Sequence, residues 1–451
     1  SKLPKKNVST LDLANSTLVV GRQVKGLTVN ASKAITISAQ AAIESSGEGG
    51  GLGITTAYFE PFDAERYSIH YDDGSIETLK SDQVTITNGG ANITFTGLTK
   101  AQNTKADVNV TLKKLGLASR TKNYIRSSQI EVTNTISVST ENSGLTQSNA
   151  YGLRVEDKEI SLNVPDVAKV LGIYESTNKL TPTLDGLEFV SGLDLDTKSF
   201  VGEQIVGETS RAIGQIVNRK SGTVVEYVYL NDNNFVKGET VTFKDSNISS
   251  VAQKIIPGSY VDRTSNYNLD KGHRKQFSDY SRIVRTGNST KPSKRLLIIF
   301  DNYEVADNSS GDFFTVNSYN KDRYTNDIPA IAGNRATDVL DFRPRVKKFD
   351  PTDFPAGNAK SPFAYSHRIF DTTTRYIITP DESSVVGYSY YLPRIDKLVI
   401  NKNEQVKLIK GVSADKPAPP TEVGDSMEIA QITYPPYLYD PIKGPKIKLY
   451  D

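Results

Sequence analysis

The chain has no cysteine, no tryptophan, a single methionine (Met427) and three histidines in 451 residues. Without cysteine there is no disulfide, no thiolate nucleophile and no cysteine-ligated metal. Without tryptophan, the large aromatic platform that a sugar-cleaving site would favour is missing. His70, His273 and His367 lie far apart and form no H-x-x-x-H pair, so the spacing that makes a metal signature specific is absent. They read as surface or loop residues. The longest unbroken apolar run, Leu296 to Phe300, is far short of the roughly 20 residues a membrane-spanning helix needs, and no basic segment precedes a signal-like apolar stretch. Neither charge sign dominates: Lys+Arg 54 face Asp+Glu 52, and the sequence pI is about 8.3. Bulk charge therefore does not single out nucleic acid or an anionic membrane as a partner. With Met427 the sole methionine and Ser1 at the start, the sequence reads as trimmed or as a segment of a longer product.

What is present is mostly strand. In "RYSIHYDDGSIETL" Tyr67, Ile69 and Tyr71 alternate with Ser68 and His70 before the turn Asp72-Asp73-Gly74, which predicts a hairpin. "VTITNGGANITF" repeats the pattern around Asn88-Gly89-Gly90, and "VNVTL" (108–112) continues it. Short alternating segments with Asn, Gly and Asp between them predict a β-sandwich or barrel. The best helical signal is "PDVAKVLG", Pro165 to Gly172, with proline at a first-turn position and glycine at the end. Further strands are expected at "KRLLIIFDNYEV" (294–305), at a hairpin over Lys397–Asn401 and Gln405–Lys410, and at "MEIAQITY" (427–434).

One motif occurs twice. "FVGEQIVGETSRAIGQIV" (200–217) and "FVKGETVTFKDSNISSVAQKII" (235–256) both open on Phe-Val, reach Gly-Glu, and close on an aliphatic pair after a polar turn. With "TVVEYVYL" (223–230) between them, five short strands predict a small barrel in which each half covers the other's apolar face. Phe200 and Phe235 are expected to be equivalent core residues.

Other candidates for chemistry weaken on inspection. The glycine-rich stretch Gly47–Gly53 is followed by no Lys-Ser/Thr pair and no helix signal, so it reads as a linker and not as a phosphate loop. Asp194 and Asp196 lack the glycine and terminal glutamate of a calcium loop and read as solvated turn carboxylates. Carboxylate pairs of glycosidase type are recognised by separation in space, which sequence does not give. No catalytic, cofactor-binding or metal-binding residue is assigned. The densest segment is "RATDVLDFRPRVKKFD" (335–350), where Arg343 and Arg345 bracket Pro344 behind Asp338 and Asp341. Interleaved acids and bases predict a salt-bridge cluster and not a nucleic-acid surface. Long irregular segments such as 320–362 are usually ordered by partners, so Arg335, Arg343, Arg345, Tyr319 and Tyr324 are the interface candidates.

Four stretches together resemble a family of large virion structural proteins from contractile-tailed, T-even-like cyanophages that carry a tail domain of unknown function. They are "FEPFDAERYSIHYDDGSIETL" (59–79), "KRLLIIFDNYEV" with "SGDFFTVNSY" (294–319), "ATDVLDFRPRV" (336–346) and "YYLPRIDKLVINKNEQVKLIKGVSADKPAPP" (390–420). The resemblance implies a non-enzymatic tail component, at the baseplate wedge or at fibre attachment. Its partners would be other virion tail proteins and further copies of itself, and its place the virion after assembly in the host cytoplasm. It also implies more chain after "ITYPPYLYDP". An alternative of another class is a receptor- or carbohydrate-binding fibre protein with an exposed tyrosine-lined groove, for which a host-surface glycan is the ligand. A glycan hydrolase is a third. The expected architecture is mainly β and multi-domain: an N-terminal arm and linker (1–53), a β-sandwich of Ig-like type (54–190), an inserted duplicated barrel (191–258) and a β-rich C-terminal domain with long loops (259–451).

Overall fold

A computed structural model describes residues 8–44, 57–132, 154–178, 180–305, 311–320, 328–331, 333–354, 361–370, 377–421, 424–436, 438, 441–442 and 444–450. The linker Gly47–Gly53 and Tyr324 lie outside the described residues. The protein is mainly β, as its alternating patterns require.

The first unit is a sandwich. Strand Val8–Thr28 pairs with Lys105–Leu115 along most of its length and with Val385–Tyr390 near its start, and Ser68–Tyr71 and Ile76–Thr78 extend the sheet. A second sheet, Ile35–Ser38, Asn92–Phe95 and Val84–Thr87, packs Ile35, Ile37, Ile93 and Phe95 into the same core as Val20, Val24, Ile69 and Val108. Both predicted hairpins are there, because each turn sits between strands whose alternate residues are buried. The N-terminal segment is therefore no arm. It is an inner strand, with Val8, Leu11, Leu18, Val20 and Val24 in the core. Its alternation is hidden by a bulge: buried residues fall at 11 and 13, then at 18, 20 and 24. At the bulge Ser16 Oγ donates to Asp12 O at 2.6 Å and accepts from Gly387 N at 3.0 Å. Between Asp12 and Thr17 the strand advances five residues against two of its partner, and an excess of three, being odd, reverses which parity faces inward.

The second unit stacks two more sheets. One runs Tyr260–Asp262, Val167–Ser176, Leu296–Val305, Lys122–Val132; the other runs Glu159–Pro165, Tyr280–Arg285, Tyr267–Asp270. Their core holds Ile130, Leu162, Ile173, Ile283, Ile298 and Phe300. The predicted helix at Pro165–Gly172 is wrong. Asp166 has φ +59°, a left-handed conformation that no α-helix accommodates, and the chain turns there from one strand into the next.

The barrel is closed and six-stranded: Asp185–Phe189, Val224–Tyr229, Ile213–Arg219, Gln204–Gly207, Thr240–Phe243, Ser249–Ile256. Asp185–Phe189 precedes the first motif copy, so the unit begins before residue 191. "LEF" (187–189) and "VEY" (225–227) are its matching pieces, and Leu187 pairs with Val225 across a pseudo-twofold axis. The same axis passes between Val206 and Thr242.

Phe235 is 3% exposed and packs in the barrel core, whereas Phe200 is 56% exposed. The equivalence expected of them fails by one residue. The first copy reads Phe-Val-Gly-Glu and the second Phe-Val-Lys-Gly-Glu. Aligned on Gly-Glu, Phe200 matches the exposed Val236, and Phe235 matches the fully buried Ser199.

Within the long segment 320–362 expected to need partners, the described residues Ala336 and Leu340 join the first core, as do Phe313, Val316 and Tyr319 just before it, and Val346 and Phe349 pack with Tyr280. The units thus interleave along the sequence. Phe313, Val316, Tyr319, Ala336, Leu340 and strand Val385–Tyr390 return to the first sandwich, and among the described residues the four-stranded sheet ordered Val406–Ile409, Arg394–Asn401, Ser426–Tyr434, Lys446–Leu449 stands apart. Among the described residues no hydrophobic cluster draws on that sheet.

Candidate functional site: a buried polar junction, a docked barrel and an uncovered sheet

The left-handed corner at Asp166 aims its carboxylate inward, where cations from three distant segments meet it. Lys122 Nζ lies 2.6 Å from Oδ2, His273 Nε2 2.8 Å from Oδ1, and Arg345 Nε 3.4 Å from Oδ2. Lys122 also donates to Tyr319 Oη at 3.0 Å and sits 4.3 Å from the Phe314 ring centre. Arg343 grips Asp341 with two bonds of 2.8 and 2.9 Å and donates to His273 Nδ1 at 3.0 Å. An arginine only donates, so Nδ1 is the acceptor of that bond and Nε2 is the ring nitrogen facing Asp166.

Burial alone would raise Asp166; Lys122, His273 and Arg345 reverse that and hold it well below the usual carboxylate range. Burial lowers Lys122 against the pull of Asp166, and burial raises Tyr319. Asp341 is likewise depressed, burial being outweighed by Arg343. Each charged group here has an oppositely charged neighbour inside the chain, Lys122 and Arg345 sharing Asp166 and Arg343 holding Asp341. Arg345 and Tyr319 are buried and Arg343 half-buried, and all three tie segments of this chain together, the two arginines through the carboxylate contacts the interleaved acids predict. Arg335 is half-buried and bonded to Asp338. Lys122, Asp166 and His273 had no sequence signal, because they come together only through the tertiary fold.

The duplicated Gly-Glu of the barrel has a structural role. Glu203 Oε1 accepts from Asp245 N (2.8 Å) and Ser246 N (2.6 Å), in the turn of the second hairpin. Glu239 Oε2 accepts from Thr209 N (3.2 Å) and Ser210 N (2.9 Å), in the turn of the first. Each copy thus caps the other. Each turn also has a left-handed residue at the matching place, Arg211 and Asn247, and each glutamate follows a glycine of positive φ, Gly202 and Gly238. The first copy's face is docked on the second sandwich: Gln215 Nε2 donates to Asp301 Oδ1 (2.9 Å), Ser127 Oγ to Ile216 O (2.8 Å), and Val217 and Val228 pack on Leu297 and Ile299.

The C-terminal sheet has one mostly apolar face and one that carries most of its lysines, with Val399 buried on the latter. Pairing sets Leu398 beside Leu408 and Ala430, Ala430 beside Leu449, Ile400 beside Val406 and Met427, and Ile432 beside Ile447 and Asp396. Side chains of directly paired residues share a face. That face is apolar apart from Asp396 and Arg394; Asp396 is fully buried and held by Arg394 at 2.7 and 2.9 Å and by Gly411 N at 3.0 Å. Val406, Leu408, Met427, Ile447 and Leu449 on it are between 39% and 70% exposed. The opposite face carries Lys397, Lys407, Lys446 and Lys448 with Glu428, which pairs with Lys397 at 2.9 Å.

An open depression of about 710 Å³ lies beside the hairpin at 71–78. Tyr71, the one aromatic residue lining it, is buried, and its hydroxyl donates to Glu77, which also accepts from Thr99. It offers no stacking surface. Among the described residues no group of three or more His, Asp or Glu could hold a metal ion, and no helix is long and apolar enough to cross a membrane. Compared with protein-family models, curated proteins and solved structures, the chain matches none.

Proposed function

We propose that this chain is a non-enzymatic structural component of a phage contractile tail, an adaptor at the baseplate wedge or at fibre attachment. The observation that supports it is the contrast between an interior whose charged groups are tied to one another and a C-terminal sheet whose apolar face is left open. A four-stranded sheet with one bare apolar face is half of a two-layer unit, and the described residues of this chain do not supply its second layer. The Asp166 junction and the barrel's dock hold the remaining units in fixed relation, as a load-carrying spacer requires. The phage assignment itself rests on the sequence resemblance.

The test is direct. Purified contractile tails, stripped of DNA, are analysed by mass spectrometry and labelled with antibody to this chain. The chain is expected in several copies per tail, with label at the baseplate end; its absence from tails of a phage that encodes it overturns the proposal.

A further inference from the structure

We infer that the apolar face of the C-terminal sheet is covered by the same face of a second copy of this chain, forming a twofold β-sandwich; the inference rests on the adaptor reading only for what the pairing serves. Three observations select a second copy. First, the face has no unmatched charge: Asp396 is closed off by Arg394 and Gly411, which calls for an apolar partner surface, and this same face is one of matching size. Second, the other surfaces of this sheet are charged. The reverse face bears four lysines against one glutamate, and the edge strands Val406–Ile409 and Lys446–Leu449 carry Lys407, Lys446 and Lys448, the usual protection against edge-to-edge pairing. Third, the area suffices. Covering an aliphatic side chain of this kind removes on the order of 60 to 120 Å² from water. The five exposed side chains, with the half-buried Leu398, Ile400 and Ile432 between them, then give about 500 Å² per copy and about 1,000 Å² for the pair, which reaches the lower bound of specific interfaces.

A twofold axis makes such a contact self-complementary: residue for residue, each copy gives what it receives. The two sheets would lie about 10 Å apart with strands crossing at about 30°, the packing of ordinary sandwiches. The module joins the rest of the chain through the short link between Val385–Tyr390 and Arg394–Asn401, so the pairing places two first sandwiches at a fixed separation.

Sedimentation equilibrium of the full chain over a roughly hundredfold concentration range is expected to show reversible dimers, and Met427→Asp or Leu449→Asp to weaken them by roughly a hundredfold, since each puts an unpaired charge in the contact. Lys407→Ala, on the reverse face, is expected to leave them unchanged. A chain that stays monomeric throughout, or dimers indifferent to both aspartates, overturns the inference. A monomer that is nevertheless found in purified tails refutes the pairing alone; a dimer absent from tails upholds the pairing and refutes the tail assignment.

Discussion

Removing the carboxylate of Glu239 should loosen the first hairpin of the barrel and leave the second intact. Glu239 is buried and accepts four bonds: Val236 N at 2.6 Å, Ser210 N at 2.9 Å, Ser210 Oγ at 2.9 Å and Thr209 N at 3.2 Å. In Glu239→Ala these donors lose their acceptor. An unsatisfied buried donor costs about 1–3 kcal/mol, and the turn donors are near enough to the surface to regain some water. The sum is about 3–4 kcal/mol, or a factor of a few hundred in the opening equilibrium of that turn. Native-state hydrogen exchange on the full chain reads this residue by residue. The amides of Thr209, Ser210 and Val236 should exchange faster by roughly two orders of magnitude. Those of Asp245 and Ser246, held by Glu203, should keep their protection. Glu203→Ala should give the mirror result. The pH dependence has a definite sign. Burial raises Glu239, its backbone and hydroxyl donors outweigh burial, and the net is a lowered carboxyl. Its contribution is therefore present above the ordinary glutamate value and is lost as pH falls through the depressed one. If Glu239→Ala releases both turns equally, or neither, the reciprocal-cap account of the duplicated motif is wrong.

Phe235→Ala should cost about 3–5 kcal/mol, while Phe200→Ala, at a more than half-exposed position, should stay within about 0.5 kcal/mol; urea unfolding followed by a probe in the barrel separates them. Asp166→Asn leaves Lys122 and Arg345 buried against a neutral group and should cost about 3–5 kcal/mol. Because Asp166 and Asp341 are both depressed, the native chain should lose stability as pH falls through their folded values, and Asp166→Asn should flatten that acid limb in a pH titration of unfolding. Gly238→Ala should cost about 1 kcal/mol for its positive φ alone. Gly202→Ala should cost more, because an added Cβ would stand 2.3 Å from Arg126 Cβ at the barrel's dock; melting curves of the two variants give the difference.

What the sequence made legible was whatever is settled within a few residues. The hairpins around Gly74 and Asn88-Gly89-Gly90, and the one ending at Glu404, have their turn chemistry and their alternation in one short window. The duplication was equally visible, but its register was not: one inserted lysine, Lys237, moved the matching phenylalanine from the surface into the core. The strand Val8–Thr28 escaped because its bulge breaks the period, and Pro165–Gly172 imitated a helix because proline and glycine at those positions do not reveal that Asp166 is left-handed. The polar junction was out of reach altogether. Asp166, Lys122, His273 and Arg345 come from segments that meet only after both sandwiches have formed, and an arginine in a salt-bridge cluster has the same local sequence whether it faces solvent or the centre of the molecule.

Cryo-EM reconstruction of the assembled contractile tail tests the central claim most directly. The account predicts density for this chain in the tail with the face of Val406, Leu408, Met427, Ile447 and Leu449 covered by protein, and with the barrel still seated on Asp301 through Gln215. A reconstruction in which that face looks onto solvent in every copy would contradict it.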